Sequence, residues 1–231
     1  MILSGNEIAE QCRKGNIFIE DFDLARLGPN SYNLRLGKEL LAYTEPILDP
    51  KHKNGYEELE IPEYGFLMTP GKIYLAQTME YTKTDGFVPM LEGRSSVGRL
   101  GINIHATAGF GDVGFHGRWT LELSCVQPVK IYAGMEICQI YYHTIMGEIG
   151  QRYAGKYQES DGVRASQMWQ DFEKKVRDIT FCVNRECPFR DCERHICHLE
   201  GCDPNEVHSF AALDGTCRRY IGWLATWEGQ E

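Results

Sequence analysis

The chain has 231 residues, 42% of them hydrophobic, with 24 Lys and Arg against 33 Asp and Glu for a net charge of −9. That length makes one large domain, or one domain with a small module, and the acidic balance argues against a general nucleic-acid binder, which presents a basic face. No apolar run reaches the roughly 18 residues of a membrane span, and the N-terminus MILSGNEIAEQCRKG lacks the apolar stretch of a signal peptide, so a cytoplasmic protein is expected.

In chain order, residues 5–15 predict a short helix, with Ile8, Ala9 and Cys12 at helical spacing and Gly15 as its stop. SYNLRLG, Ser31 to Gly37, alternates Tyr32, Leu34 and Leu36 with polar neighbours and predicts a strand ending in a glycine turn. Residues 49–64 are polar with flanking prolines and predict a surface loop or hairpin excursion. Glycine and proline signals then recur at Pro70-Gly71, Asp85-Gly86, Gly109 to Gly117 and Ala133-Gly134, with short alternating runs between them. That rhythm indicates a mainly β fold, a barrel or jelly-roll, rather than βαβ units. Beyond Gly117, Trp119, Leu121, Leu123 and Cys125 take one face of a strand; Arg118, Thr120, Glu122 and Ser124 take the other. A helical stripe of Met168, Trp169, Phe172, Val176 and Ile179, with Ser166 as N-cap, predicts a helix joining the β domain to the tail.

The nine cysteines divide unevenly: Cys12, Cys125 and Cys138 are scattered, and six fall between Cys182 and Cys217. The expected boundaries are therefore a β domain over 1–175 and a small cysteine- and histidine-rich C-terminal module over 176–231. In that module Cys182, Cys187, Cys192, His195, His198 and Cys217 are the candidate ligands of a structural Zn²⁺, since so short a module makes a poor core by itself. The C-x4-C-x4-C-x2-H spacing is not that of a C-x2-C ribbon. Free thiols in a helical tail, disulfides and an iron–sulfur cluster are the alternatives, with a cytosolic redox poise disfavouring disulfides. Zinc-dependent nucleotide deamination is rejected, because His198-Leu199-Glu200 is followed by no P-C-x-x-C.

Two acids stand close together in GFGDVGFHGRWTLEL: Asp112 in a glycine-rich turn and Glu122 on the polar face of a strand. Alone, each reads as turn chemistry and solvated charge. Upstream, EGRSSVGRLG combines Arg94, Ser95, Ser96 and Arg99, hydroxyls and guanidiniums suited to an anion. Taken in order, EGRSSVGRLGINIHATAGFGDVGFHGRWTLEL, SYNLRLG, GMEICQI and GKYQESDGVRAS resemble the dCTP deaminase branch of the dUTPase-like superfamily over residues 1–170.

The resemblance implies a distorted β-barrel or jelly-roll, assembled as a homotrimer with its sites between subunits. It implies hydrolytic deamination of dCTP to dUTP and ammonia, with Glu122 as general acid and base and Ser95 and Arg99 helping to hold water and acid. Asp112 would read the sugar 3′-hydroxyl. Arg94, Ser96, Gln139, Tyr153, Lys156 and Tyr157 would bind substrate, whose triphosphate brings Mg²⁺. Ser160 stands where relatives carry a glutamine that helps hold the base or the lid. His105, expected on a strand, and His116, expected in a glycine turn, match no essential position. Two alternatives stand beside this reading. One is a bifunctional dCTP deaminase and dUTP diphosphatase giving dUMP and pyrophosphate, favoured by the AGFGDVGF turn. The other is a non-catalytic regulator that binds deoxynucleoside triphosphates.

Overall fold

The computed structural model describes residues 1–173 and two further strands, and divides the chain into two units, Met1–Gln170 and Asp171–Glu231. The first unit opens with helix α1 (Gly5–Lys14), where the Ser4 side chain accepts the Glu7 N–H and Gly15 closes the helix in the left-handed conformation at φ 78°. Its apolar face buries Ile8. Twelve strands follow: β1 (Ile17–Ile19), β2 (Tyr32–Tyr43), β3 (Tyr56–Glu60), β4 (Phe66–Met68), β5 (Tyr74–Thr78), β6 (Thr82–Thr84), β7 (Phe87–Gly93), β8 (Ile102–Asn103), β9 (His116–Gly117), β10 (Thr120–Cys125), β11 (Val129–Ile131) and β12 (Glu136–Thr144). A single helical turn, α2 (Ser95–Gly98), lies between β7 and β8. The expected mainly β class holds.

The largest sheet runs β7-β12-β2-β5-β10-β8, antiparallel throughout, with β3 also paired to β2. Smaller sheets join β1-β6-β9 and β11-β4. The alternation legible in the sequence is the alternation of burial: Tyr32, Leu34 and Leu36 are fully buried, as are Leu121 and Leu123. Strand β2 does not end at Gly37. It continues to Tyr43, and its register against β5 shifts between Leu36 and Leu40, so the glycine marks an irregularity within the strand rather than a turn. The polar excursion folds back as β3, a hairpin partner of β2 with Glu60 opposite Glu39.

A partly buried ion pair joins β2 to the turn between β5 and β6. Glu80 is 1% exposed and accepts from the Arg35 backbone N–H at 2.8 Å and from Arg35 Nε at 2.6 Å.

The helix expected over 166–179 is corrected by the described residues. Ser166 Oγ accepts the Met168 N–H at 3.3 Å, but only a 3₁₀ turn, Met168–Asp171, follows. Met168 and Phe172 stay about half exposed, so among the described residues these two bury no apolar face that would sustain a longer helix. In the second unit Ile179 begins a strand, β13 (Ile179–Cys182), paired in parallel with β14 (His208–Ala211). Of the zinc candidates, Cys182 ends β13, while Cys187, Cys192, His195, His198 and Cys217 lie outside the described residues.

Candidate active site

Period-two alternation in β10 sends Leu121 and Leu123 to the core and leaves Thr120 and Glu122 on the opposite face, where they form one wall of a cavity of about 450 Å³. Arg118, at the same alternation just before the strand, joins them. Leu75 of β5, register partner of Glu122, adds apolar surface. Below lies an aromatic group: Phe115 meets Trp119 at 4.4 Å between centroids and Tyr153 at 5.8 Å, edge-on. Trp119 is fixed through its indole N–H, which donates to Thr82 Oγ1 at 2.8 Å.

Glu122 is half-buried, and burial pushes its carboxyl above the usual glutamate range. The neighbouring His105 charge and an Ala106 backbone N–H pull the other way without cancelling it. The backbone at this point is held by the Glu122 N–H, which donates to Ile104 O at 2.8 Å. Asp112 also lines the cavity, from an exposed turn closed by the Phe115 N–H donating to Asp112 O at 3.2 Å. Its carboxylate has no partner among the described residues and so is available to a ligand hydroxyl.

The last wall is a strap, residues 151–166. The Tyr153 N–H donates to Val113 O, the Glu159 N–H to His116 O, and the Arg118 N–H to Ser160 O at 2.7 Å. Gly117 and Ser160 pair as a parallel bridge. Gly117 has φ 151°, and a Cβ there would stand 2.9 Å from Ser160 N, so glycine is required for this docking. Ser160 is 2% exposed, and its hydroxyl donates to Gly162 O at 3.3 Å.

The structure thus brings together Glu122, Asp112, Tyr153 and Tyr157, four of the residues singled out in the sequence. Six others do not line this cavity. Ser95 and Ser96 of α2, and Arg99 just after it, are exposed. Arg94 Nη1 is bound to Glu136 Oε2 at 2.9 Å, and Gln139 Oε1 accepts from Ser31 Oγ at 3.1 Å within the sheet. Lys156 sits on the strap outside the cavity lining. The two histidines exchange their expected settings: His105 follows β8 in irregular backbone, because pairing of β8 with β10 ends at Asn103, and His116 lies in β9 with Nδ1 2.8 Å from the Tyr81 hydroxyl. His105 Nε2 faces Leu91 O at 3.1 Å, while its buried Nδ1 has no partner among the described residues.

Sequence reasoning missed Arg118, Thr120 and Arg164 as cavity residues. The alternation that exposed Glu122 also places Arg118 and Thr120 on its face; no local pattern identifies Arg164, which arrives from the strap.

A β-sheet cavity that pairs a desolvated glutamate with an unpartnered aspartate, closed by a C-terminal strap, defines a small-molecule site rather than an extended macromolecular surface. Residues 2–145 match the family model described as dCTP deaminase-like, and the chain belongs to that family. It is 58% identical over 173 residues to "dCTP deaminase, dUMP-forming" of Hathewaya histolytica, covering 75% of this chain and the whole of that protein. Identity is 55% over 174 residues to the protein of the same name from Cytophaga hutchinsonii, again covering 75% of this chain and all of the relative. The crystal structure of 2′-deoxycytidine 5′-triphosphate deaminase from Agrobacterium tumefaciens shares the fold, with TM-score 0.51 and 22% identity over 62% of this chain and 48% of that one. The relatives' names overturn the expectation that dUTP is the product: they are dUMP-forming. Phe110 in the AGFGDVGF turn is the feature that favoured the dUMP-forming alternative.

Proposed function

We propose that this chain is a dUMP-forming dCTP deaminase, which hydrolyses dCTP to ammonia and a uracil deoxynucleotide and cleaves the triphosphate to leave dUMP and pyrophosphate. The observation that carries the reading is Glu122: a half-buried carboxyl with a raised pKa, facing a cavity, in a family of deaminases. Deamination requires a base that takes a proton from water as oxygen attacks C4, and an acid that returns it to the ring and to departing ammonia. A carboxyl whose protonated and ionised forms lie closer in energy than in water serves both steps. The apolar Leu75 and the Phe115–Trp119 pair limit bulk water around the attacked carbon.

Asp112 accepts from the sugar 3′-hydroxyl and, in the diphosphatase step, orients the water that attacks phosphorus. The triphosphate arrives carrying Mg²⁺ on its phosphate oxygens. The exposure of Ser95, Ser96 and Arg99 supports a distorted barrel assembled as a homotrimer, in which this turn, with Arg94, completes a neighbouring copy's cavity. Lys156 and Tyr157 close over the phosphates, and the enzyme works in the cytoplasm.

Glu122→Gln separates this reading from a nucleotide-binding regulator. The variant is expected to bind dCTP while releasing no ammonia, against steady release by the unaltered chain. Ammonia release at the unaltered rate from Glu122→Gln would refute the assigned role.

A further inference from the structure

Two arginines line the cavity, and they differ in how their charge is met. Arg118 Nη1 lies 2.8 Å from Glu20 and its Nε 2.9 Å from Asp161, so two carboxylates already neutralise it. The Arg164 guanidinium has no carboxylate partner among the described residues. Its backbone is placed by β10, since the Arg164 N–H donates to Thr120 Oγ1 at 3.4 Å. Thr120 stands two positions before Glu122 on the same face of that strand, so the two backbones lie roughly 7 Å apart. An arginine side chain can cross that distance.

Other polar side chains of the cavity are already engaged. The Ser160 hydroxyl is buried and donates to Gly162 O, and the Trp119 indole N–H donates to Thr82 Oγ1. The Tyr153 and Tyr157 hydroxyls accept the Tyr157 and Gln167 backbone N–H groups. Among the described residues lining the cavity, Arg164 is thus the charged donor left to a ligand. Its surroundings say which part of a ligand. Leu75 stands opposite Glu122 in register, and the Phe115–Trp119 pair lies below. An apolar recess of this kind takes the edge of a flat heteroaromatic ring, whereas a hydrated group of several charges would lose its water there uncompensated. Along one edge, cytosine carries the 4-amino group, N3 and the 2-carbonyl oxygen. With C4 against Glu122, the carbonyl is the acceptor left for Arg164.

We propose that the Arg164 guanidinium donates to the 2-carbonyl oxygen of the pyrimidine whose C4 faces Glu122, and takes up the charge that builds there when water adds. As the water oxygen bonds to C4 and its proton passes to Glu122, the C4–N3 π pair moves onto N3 and spreads to the 2-carbonyl oxygen. The guanidinium, fixed by the backbone bond to β10, meets that charge without having to reorganise. Glu122 then returns the proton, ammonia leaves, and the contact persists because uracil keeps the same carbonyl. Arg164 stays protonated throughout and needs no further reactant. The proposal rests on the dCTP reading for the identity of the base.

The test compares the full chain and its Arg164 variants on dCTP and on 2-thio-dCTP, in which sulfur, a weak acceptor, replaces the carbonyl oxygen. Arg164→Met, which keeps the backbone bond and removes the donors, should lower kcat for ammonia release from dCTP by about ten- to a hundredfold. It should also shrink the preference for dCTP over the analogue, read as the ratio of kcat/KM values, by about tenfold. Arg164→Lys, which keeps the charge and a donor, should recover part of both. Binding separates this proposal from the deaminase reading. In chains that also carry Glu122→Gln, titration calorimetry should show Arg164→Met weakening dCTP severalfold more than 2-thio-dCTP. That differential in a protein whose unaltered chain releases no ammonia would uphold the contact and refute the deaminase reading. A preference unchanged in both turnover and binding would overturn the proposal, since a merely structural role affects both nucleotides alike.

Discussion

Arg118 Nε donates to Asp161 Oδ1 at 2.9 Å, tying the approach to β10 to the strap that closes the cavity. The same guanidinium reaches Glu20 at 2.8 Å, just after β1, and the Arg118 backbone N–H holds Ser160 O. One residue therefore connects β10, the strap and the three-stranded sheet. Asp161 is largely exposed, so the side-chain pair adds about 0.2–1 kcal/mol. Arg118→Gln should therefore speed amide hydrogen exchange over residues 157–161 and raise KM for dCTP by about two- to fivefold, with kcat little changed. Exchange in the strap as slow as in the unaltered chain would show that the pair does not hold it.

Gly117→Ala should do more. A methyl group 2.9 Å from Ser160 N cannot be accommodated while Gly117 and Ser160 pair, and the φ of 151° is unfavourable for alanine. Backbone strain of this kind costs about 1–3 kcal/mol. Tm should fall and KM rise further than in Arg118→Gln, measured by thermal unfolding and steady-state kinetics.

Glu122 carries a stability signature with a definite sign. Its folded carboxyl titrates above the unfolded one, so the native state holds its proton more tightly. Stability from this group is present below the ordinary glutamate pKa and is lost as pH rises through the raised folded value. Glu122→Gln carries no such penalty. Its Tm should equal or exceed that of the unaltered chain, with the difference growing from acidic to neutral pH and shrinking again on acidification. A variant less stable at neutral than at acidic pH, relative to the unaltered chain, would reverse that sign.

Much of the fold was legible in the sequence because it depends on short-range periodicity. Tyr32, Leu34 and Leu36, and Leu121 and Leu123, declare a buried strand face by alternation alone, and Gly15 ends the first helix by its own chemistry. Glu122 was legible for the same reason, since a polar residue within such an alternation must face away from the core. The rest depends on partners distant in sequence. Whether Gly37 turns or continues is decided by β5, the setting of His116 by Lys83 of β6, and the arrival of Arg164 at the cavity by a strap more than 40 residues beyond Thr120. The exposure of Ser95 and Arg99 was likewise not a property of their local motif.

Glu80 gives a further expected stability effect. Its buried carboxylate accepts one bond from the Arg35 backbone and one from its partly exposed guanidinium, which loses its counter-ion when that charge is removed. Glu80→Gln should lower stability by about 1–3 kcal/mol, the cost of weakening a charged hydrogen bond at a buried acceptor whose arginine partner is about a fifth exposed. Denaturant unfolding read by tryptophan fluorescence measures it, and a loss below about 1 kcal/mol would place the pair among surface-like interactions.

The central claim is tested most directly by a time course of the purified full chain with dCTP and Mg²⁺, separating dCTP, dUTP and dUMP and assaying ammonia and pyrophosphate. The account predicts that dUMP, ammonia and pyrophosphate accumulate in equal amounts as dCTP disappears. Accumulation of dUTP as the sole nucleotide product, or persistence of dCTP despite binding, would contradict it.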